Sequence, residues 1–170
     1  MIDSNFIKNS KIGSQNVSRE TLDELNKYSL SIIKKNKEIN LISSSTEKSI
    51  NTRHIADSAQ TIDFIDRNDV KVCTDLGSGA GLPGIVLAIL MKAKKPEFKV
   101  IFYEKSYHKS NFLKEVSKKF KLNTEINQKN IFDQKNLQTD IIISRAFKPL
   151  PVIFEIASNN FKKFKYIILF

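Results

Sequence analysis

The sequence predicts an α/β fold, an open and mostly parallel sheet wound with helices on both faces and preceded by a helical cap. Three observations carry this prediction. From residue 70 onward short apolar runs alternate with helical stretches. Those runs are apolar throughout instead of alternating with polar residues, as in strands covered on both faces. A glycine-rich stretch, residues 75–84, stands where the first run turns into a helix.

Residues 1–17 are polar and aperiodic and are expected to form a frayed arm. Ser18 is suited to cap a helix, with Glu20 in the first turn. Leu22, Leu25, Ile32, Ile33 and Ile39 then recur as an amphipathic stripe, with Lys27, Lys34, Lys35 and Lys37 on the other side. NLISSST interrupts the pattern, and a second helix is expected over about residues 47–66, so that 18–68 makes an N-terminal cap. The core over 69–170 runs VKVCTDL (strand), GIVLAILMK (helix), KVIFYE (strand), HKSNFLKEVSKKF (helix), TEIN and DIIIS (strands), PVIFEIASNNF (helix) and YIILF (strand). There is no internal repeat and no low-complexity linker, so arm, cap and core read as one domain. Open sheets of this kind bind ligands outside the carboxyl ends of their strands.

A chain of 170 residues with 41% hydrophobic and 27% charged residues is long and apolar enough to fold, which excludes a mostly disordered protein. Its longest uninterrupted apolar run, residues 85–91, falls far short of the roughly 20 residues that span a bilayer. The polar start carries no signal-peptide core, so a cytoplasmic protein without a membrane partner is expected. A single cysteine, Cys73, cannot close an internal disulfide or build a Cys-based zinc site, and within VKVCTDL it reads as strand core; no metal site is expected. The net charge of +10 suits an anionic partner such as nucleic acid. A composition rich in Lys, Asn and Ile would give the same charge without selection for binding, so charge alone leaves that partner undecided.

The strongest local signal is DLGSGAGLPG, from Asp75 through Gly77, Gly79 and Gly81 to Gly84. Glycines there let a ligand approach the main chain and the following helix N-terminus. Gly79, Gly81 and Gly84 satisfy the dinucleotide pattern G-x-G-x-x-G, while the whole stretch satisfies the D-x-G-x-G-x-G pattern typical of enzymes that use S-adenosylmethionine (SAM). Both cofactors fit the loop, and a glycine turn without a ligand is a third reading. Glu104 ends the second strand, where a carboxylate can accept hydrogen bonds from both ribose hydroxyls of NAD or SAM alike. Asp75 ahead of the first glycine, with the basic charge, tilts the balance toward SAM and an RNA substrate. Asp75, Gly77, Gly79 and Glu104 are therefore candidate cofactor-binding residues.

Four separated blocks, NLIS (40–43), RHIADS (53–58), DLGSGAGLPGIVLAI (75–89) and ISRAF (143–147), with EKSYHKSNFL (104–113) between them, together resemble the bacterial 16S ribosomal RNA guanine-N7 methyltransferases, the RsmG or GidB family. The resemblance runs from about residue 18 to the end of the chain. It implies a Rossmann-like class I SAM-dependent methyltransferase that transfers methyl to N7 of a guanine, position 527 in the family's usual RNA numbering, in naked 16S rRNA or a 30S assembly intermediate. It implies cofactor contacts at Gly77, Leu82, Ile131, Phe132 and Arg145, and a ribose acid at Glu104. Since KNIFD departs from the acidic pattern common there, contact with adenine at Ile131 and Phe132 is expected through the backbone. RHIADS implies that Arg53, His54 and Asp57 stand in the wall between cap and cofactor site, whereas His108, in a Lys-rich stretch, is expected to be exposed.

Guanine N7 carries a lone pair and no proton, so its methylation needs no general base, and orientation alone can supply a large acceleration. Arg145 is the candidate orienting residue, expected to face the cofactor cleft, and Phe147 and Arg145 are candidates to stack an RNA base. Residues 92–121 hold ten lysines against three acids. Most are expected on a solvated helix face, with Lys105, Lys109 and Lys114 near the end of the second strand available to RNA phosphates. Two other classes share these features: an NAD-dependent Rossmann oxidoreductase, which would need a substrate domain, and a non-catalytic RNA-binding protein on the same fold. Members of the resembled family continue past the strand YIILF with a turn, a helix and two strands. The chain is therefore expected to expose an apolar edge at residues 166–170, to self-associate there and to transfer methyl poorly.

Overall fold

The computed structural model describes residues 11–12 and 15–170. Most of the expected arm lies outside the described residues; within it, Lys11–Ile12 pairs antiparallel with Gln15–Asn16. The centre is a five-stranded sheet of β1 (Val72–Leu76), β2 (Lys99–Tyr103), β3 (Thr124–Asn127), β4 (Ile141–Ser144) and β5 (Tyr166–Leu169). The strands lie in the order β3-β2-β1-β4-β5, every pair parallel. The order turns back between β1 and β4, so the loops leaving those strands diverge and open a crevice at their carboxyl ends.

Of the helices α1 (Arg19–Asn36), α2 (Gly84–Lys94), α3 (Tyr107–Lys119) and α4 (Leu150–Asn160), the last three cover the sheet and the first packs on α2 as part of the cap. The Ser18 hydroxyl caps α1 by accepting the Thr21 N–H at 3.2 Å, and Leu22, Leu25, Tyr28 and Ile32 are buried along the predicted stripe. Ile39 lies beyond the helix, which stops at Asn36 because the Asn36 Oδ1 accepts the N–H groups of Leu41 and Ile42 at 2.7 and 3.0 Å and so turns the chain back. Helix α2 is buried along residues 84–91. It is apolar on every side because the sheet packs on one face and the cap on the other.

The continuous helix expected over 47–66 is corrected. The structure has a 3₁₀ segment Ser44–Ser49, a π-helical turn Asn51–Ala56 and two short α segments, Asp57–Ala59 and Ile62–Ile65. Apolar periodicity registers which face is buried and is blind to a one-residue change in hydrogen-bond register, so the pattern looked like a single helix. Ile55, Ala59, Ile62 and Ile65 of this stretch are buried with Leu25, Tyr28 and Ile32 of α1 and with Cys73, Leu87 and Phe102, so cap and sheet share one core. A smaller cluster, including Leu76, Ile142 and Ile156, fills the opposite face under α4. No helix among the described residues is long and apolar enough to cross a membrane.

Candidate active site

The site is assembled from chain leaving the carboxyl ends of β1, β2, β3 and β4. Beyond β1 the Gly77 N–H donates to the Tyr103 carbonyl at 3.0 Å, tying the glycine loop to the end of β2. Gly77 and Gly79 adopt φ of +67° and +55°, the left-handed region that suits glycine. Their environments differ. A Cβ on Gly79 would meet nothing closer than 3.9 Å, whereas one on Gly77 would fall 2.0 Å from the Phe147 ring. Phe147 therefore lies on the loop, its ring held against the bare backbone of Gly77.

The cleft beside this loop has a volume of about 360 Å³ and is lined by Gly77, Gly79, Glu104, Ile131, Phe132 and Phe147, among others. Glu104 is 8% exposed, and its carboxylate is fixed from two sides. Oε2 accepts the Gly79 N–H at 2.9 Å and Oε1 accepts the Ser106 N–H at 2.8 Å. A carboxylate has about four lone-pair positions, so two remain for the vicinal hydroxyls of a ribose.

The turn after β3 is shaped by a residue that sequence reasoning missed. Asn160, buried at the end of α4, donates from Nδ2 to the carbonyls of Ile131, Phe132 and Gln134 at 2.8, 3.3 and 2.5 Å. The only sequence signal was an amide on the otherwise apolar face of PVIFEIASNN. Ile131 is buried and Phe132 is 41% exposed at the cleft mouth.

Three predicted site residues lie off the cleft lining. Leu82 packs into the core. Asp75 lies beneath the loop, 1% exposed, where Oδ2 accepts the Gly84 N–H at 3.0 Å and Oδ1 has no partner. Burial, and to a smaller degree the nearby Glu104 charge, push its carboxyl up to about 7, against the hydrogen bond from Gly84. Asp75 thus acts on the cleft by closing the loop onto the start of α2. On the far side of the loop the Tyr28 hydroxyl donates to the Ala80 carbonyl at 2.8 Å, so the cap also grips the loop.

Arg145 is the third, and the expectation that it faces the cleft is corrected. Its guanidinium turns into the cap, where Nη2 donates to the Arg53 carbonyl at 2.6 Å and Nη1 reaches the His54 carbonyl and the Ser58 hydroxyl at 3.5 and 3.4 Å. The Asp57 carboxylate lies 3.8 Å away. Arg53, His54 and Asp57 are thus brought together, as the cap wall around this guanidinium. The π-helical turn presents these carbonyls sideways to the guanidinium, a use of its irregularity that periodicity cannot reveal. His54 Nε2 sits 2.8 Å from the Thr46 hydroxyl, and burial followed by the Arg145 charge holds its pKa below the usual histidine value. His108 is exposed, as expected.

The ISRAF segment therefore ties two parts together: Arg145 holds the cap, Ala146 turns through φ +49°, and Phe147 covers Gly77. Arg145→Ala should cost about 1.5–3 kcal/mol, the range for hydrogen bonds to a charged group. Arg145→Lys should recover less than half of that, because an ammonium cannot reproduce the planar fork. Thermal denaturation of both variants checks this; an unchanged Tm for Arg145→Ala would show that the guanidinium does not hold the cap.

Known proteins share both sequence and fold with this chain. The family model of rRNA small subunit methyltransferase G (GidB) matches residues 21–170. The ribosomal RNA small subunit methyltransferase G of Pelagibacter ubique is 48% identical over 159 residues, covering 92% of this chain and 74% of that protein. That of Cereibacter sphaeroides is 34% identical over 155 residues, covering 91% and 75%. Among solved structures, a coclaurine N-methyltransferase bound to N-methylheliamine and S-adenosylhomocysteine shares the fold at a TM-score of 0.56 and 16% identity, over 99% of this chain and 57% of that one. The sheet order and glycine loop are accordingly those of the class I SAM-dependent methyltransferase fold, and the chain belongs to the rRNA small subunit methyltransferase G family.

Proposed function

We propose that this protein transfers a methyl group from SAM to N7 of a guanine in small-subunit ribosomal RNA. The observation that carries the proposal is the convergence, in one cleft, of the Gly77–Gly79 backbone, the doubly held Glu104 carboxylate and the turn at Ile131 and Phe132. The cleft volume lies within the range of cofactor sites. When bound, SAM supplies a sulfonium methyl that an unprotonated nitrogen can attack directly.

Glu104 holds the ribose hydroxyls, the bare Gly79 admits the cofactor to the main chain, and Asn160 keeps the 131–134 turn in place for the base edge. Phe147 and the loop it covers exclude water from one side. Because N7 carries no proton, none of these residues needs to act as a base, and their contribution is orientation. The partner is rRNA, naked or in a partly assembled small subunit, and the protein works in the cytoplasm, where that RNA is made. Among the described residues β5 pairs only with β4, and with Leu169 and Phe170 exposed it offers an edge for self-association.

Transfer of labelled methyl from SAM to unmodified small-subunit rRNA, followed by mapping of the modified base, tests the reading. Glu104→Ala should weaken SAM binding by about 1–3 kcal/mol with the fold intact. Binding of NAD in preference to SAM in equilibrium dialysis, or an effect of Glu104→Ala on RNA affinity alone, would reject it.

A further inference from the structure

Among the described residues, acids neutralise some lysines of this chain and leave others unpaired, including those at the cleft. Away from the carboxyl end of the sheet several are neutralised: Lys99 pairs with Glu125 at 2.6 Å, Lys165 with Asp140 at 3.3 Å and Lys92 with Glu24 at 2.6 Å. At the carboxyl end, Lys105, Lys109, Lys129 and Lys148 line the mouth of the cleft, and among the described residues none of them forms an ion pair with an acid. Glu104 is the one acid of the lining, and its oxygens are engaged by backbone N–H groups. The topology produces this arrangement: the four lysines follow the ends of β2, β3 and β4, which converge at the crevice. Uncompensated positive charge so focused attracts phosphate and is screened by salt. Phe132, 41% exposed, stands in the same rim, and an exposed aromatic among basic side chains is a stacking platform for an unpaired base.

We propose that Lys105, Lys109, Lys129 and Lys148, with Phe132 among them, form a collar that grips the phosphates of single-stranded RNA on both sides of the cleft, so that one base is splayed into it. This rests on the methyl-transfer reading above and adds where, and in what form, the RNA is held. The collar recognises strand and charge, and leaves the choice of base to the cleft.

Two variants test it, Lys105→Ala/Lys109→Ala and Lys129→Ala/Lys148→Ala, against Lys34→Ala/Lys37→Ala, which removes the same charge from exposed positions at the end of α1 and just beyond it. Each is titrated with unmodified small-subunit rRNA and with a single-stranded oligoribonucleotide over a range of salt. Each rim pair should lower affinity roughly tenfold and reduce the log-log salt slope by about 1.4, or about 0.7 per lysine, while the control pair moves neither comparably. Phe132→Ala should weaken the single strand roughly 5- to 100-fold and spare a fully paired duplex. Equal losses in rim and control pairs, in a protein that still methylates RNA, would overturn the collar alone. Failure of the unaltered protein to bind or methylate RNA would overturn the functional reading and the collar with it.

Discussion

Gly77→Val should lower the melting temperature by roughly 6–12 °C and weaken SAM binding at least tenfold. Two costs add. A β-branched residue at φ +67° pays about 1–2 kcal/mol of backbone strain. The new Cβ also lies 2.0 Å from Cδ2, 2.3 Å from Cγ and 2.8 Å from Cβ of Phe147. Because even the Phe147 Cβ is too close, the ring cannot simply swing aside, and the 145–148 segment must move; overpacking of this kind costs about 1–3 kcal/mol. The combined loss, about 3 kcal/mol, converts at roughly 2–4 °C per kcal/mol for a chain of this size. Read from the sequence, Gly77 is there to let a ligand approach the main chain, so a valine would be expected only to block that approach. The structure moves the first clash to Phe147 and so predicts destabilisation as well as lost binding. Combining Gly77→Ala with Phe147→Ala removes the two ring contacts and leaves the 2.8 Å contact with the Cβ of residue 147 and the backbone strain, and should be more stable than Gly77→Ala alone. An unchanged Tm in Gly77→Val would refute the packing of Phe147 on the loop.

Asp75 should make the protein less stable as the pH rises toward neutrality. Its folded pKa, about 7, exceeds the ordinary 3.8 expected when unfolded, so between those values the folded state holds a proton that the unfolded state has released. The stabilisation is complete below the unfolded value and is lost as pH rises through the folded one. The gap between 3.8 and about 7 corresponds to about 4 kcal/mol. Asp75→Asn keeps an acceptor for the Gly84 N–H and removes the titration. Its stability minus that of the unaltered protein should therefore climb by about 4 kcal/mol between pH 4 and pH 8, whatever constant penalty the buried amide adds. Other groups cancel in this difference. Lowered carboxylates such as Asp140 and Glu125 act below their ordinary range, and His54, with its pKa depressed, contributes stability that is lost as pH falls, the opposite sign. Denaturant unfolding of both proteins across that range makes the measurement, and a flat difference would mean that Asp75 ionises normally.

Strand runs such as VKVCTDL and DIIIS, and the glycines between β1 and α2, report local backbone requirements and burial on both faces, which residue types alone encode. The parallel sheet, the cap, the buried Cys73 and the placing of Gly77, Gly79 and Glu104 at one end of the sheet were therefore legible in the sequence. So was the family, because its blocks are specific in combination. What each polar side chain touches was not legible, because hydrogen-bond partners come from segments far apart in the chain. Arg145 bonds to carbonyls 91 and 92 residues away, Tyr28 to one 52 residues away, and Asn160 to a turn 26–29 residues behind it. Only the folded arrangement could turn Arg145 away from the cleft, press Phe147 onto Gly77 and bury Asp75 beneath the loop. Only it could separate the paired lysines from the unpaired ones, since neutralisation of a charge depends on which acid the fold brings within reach.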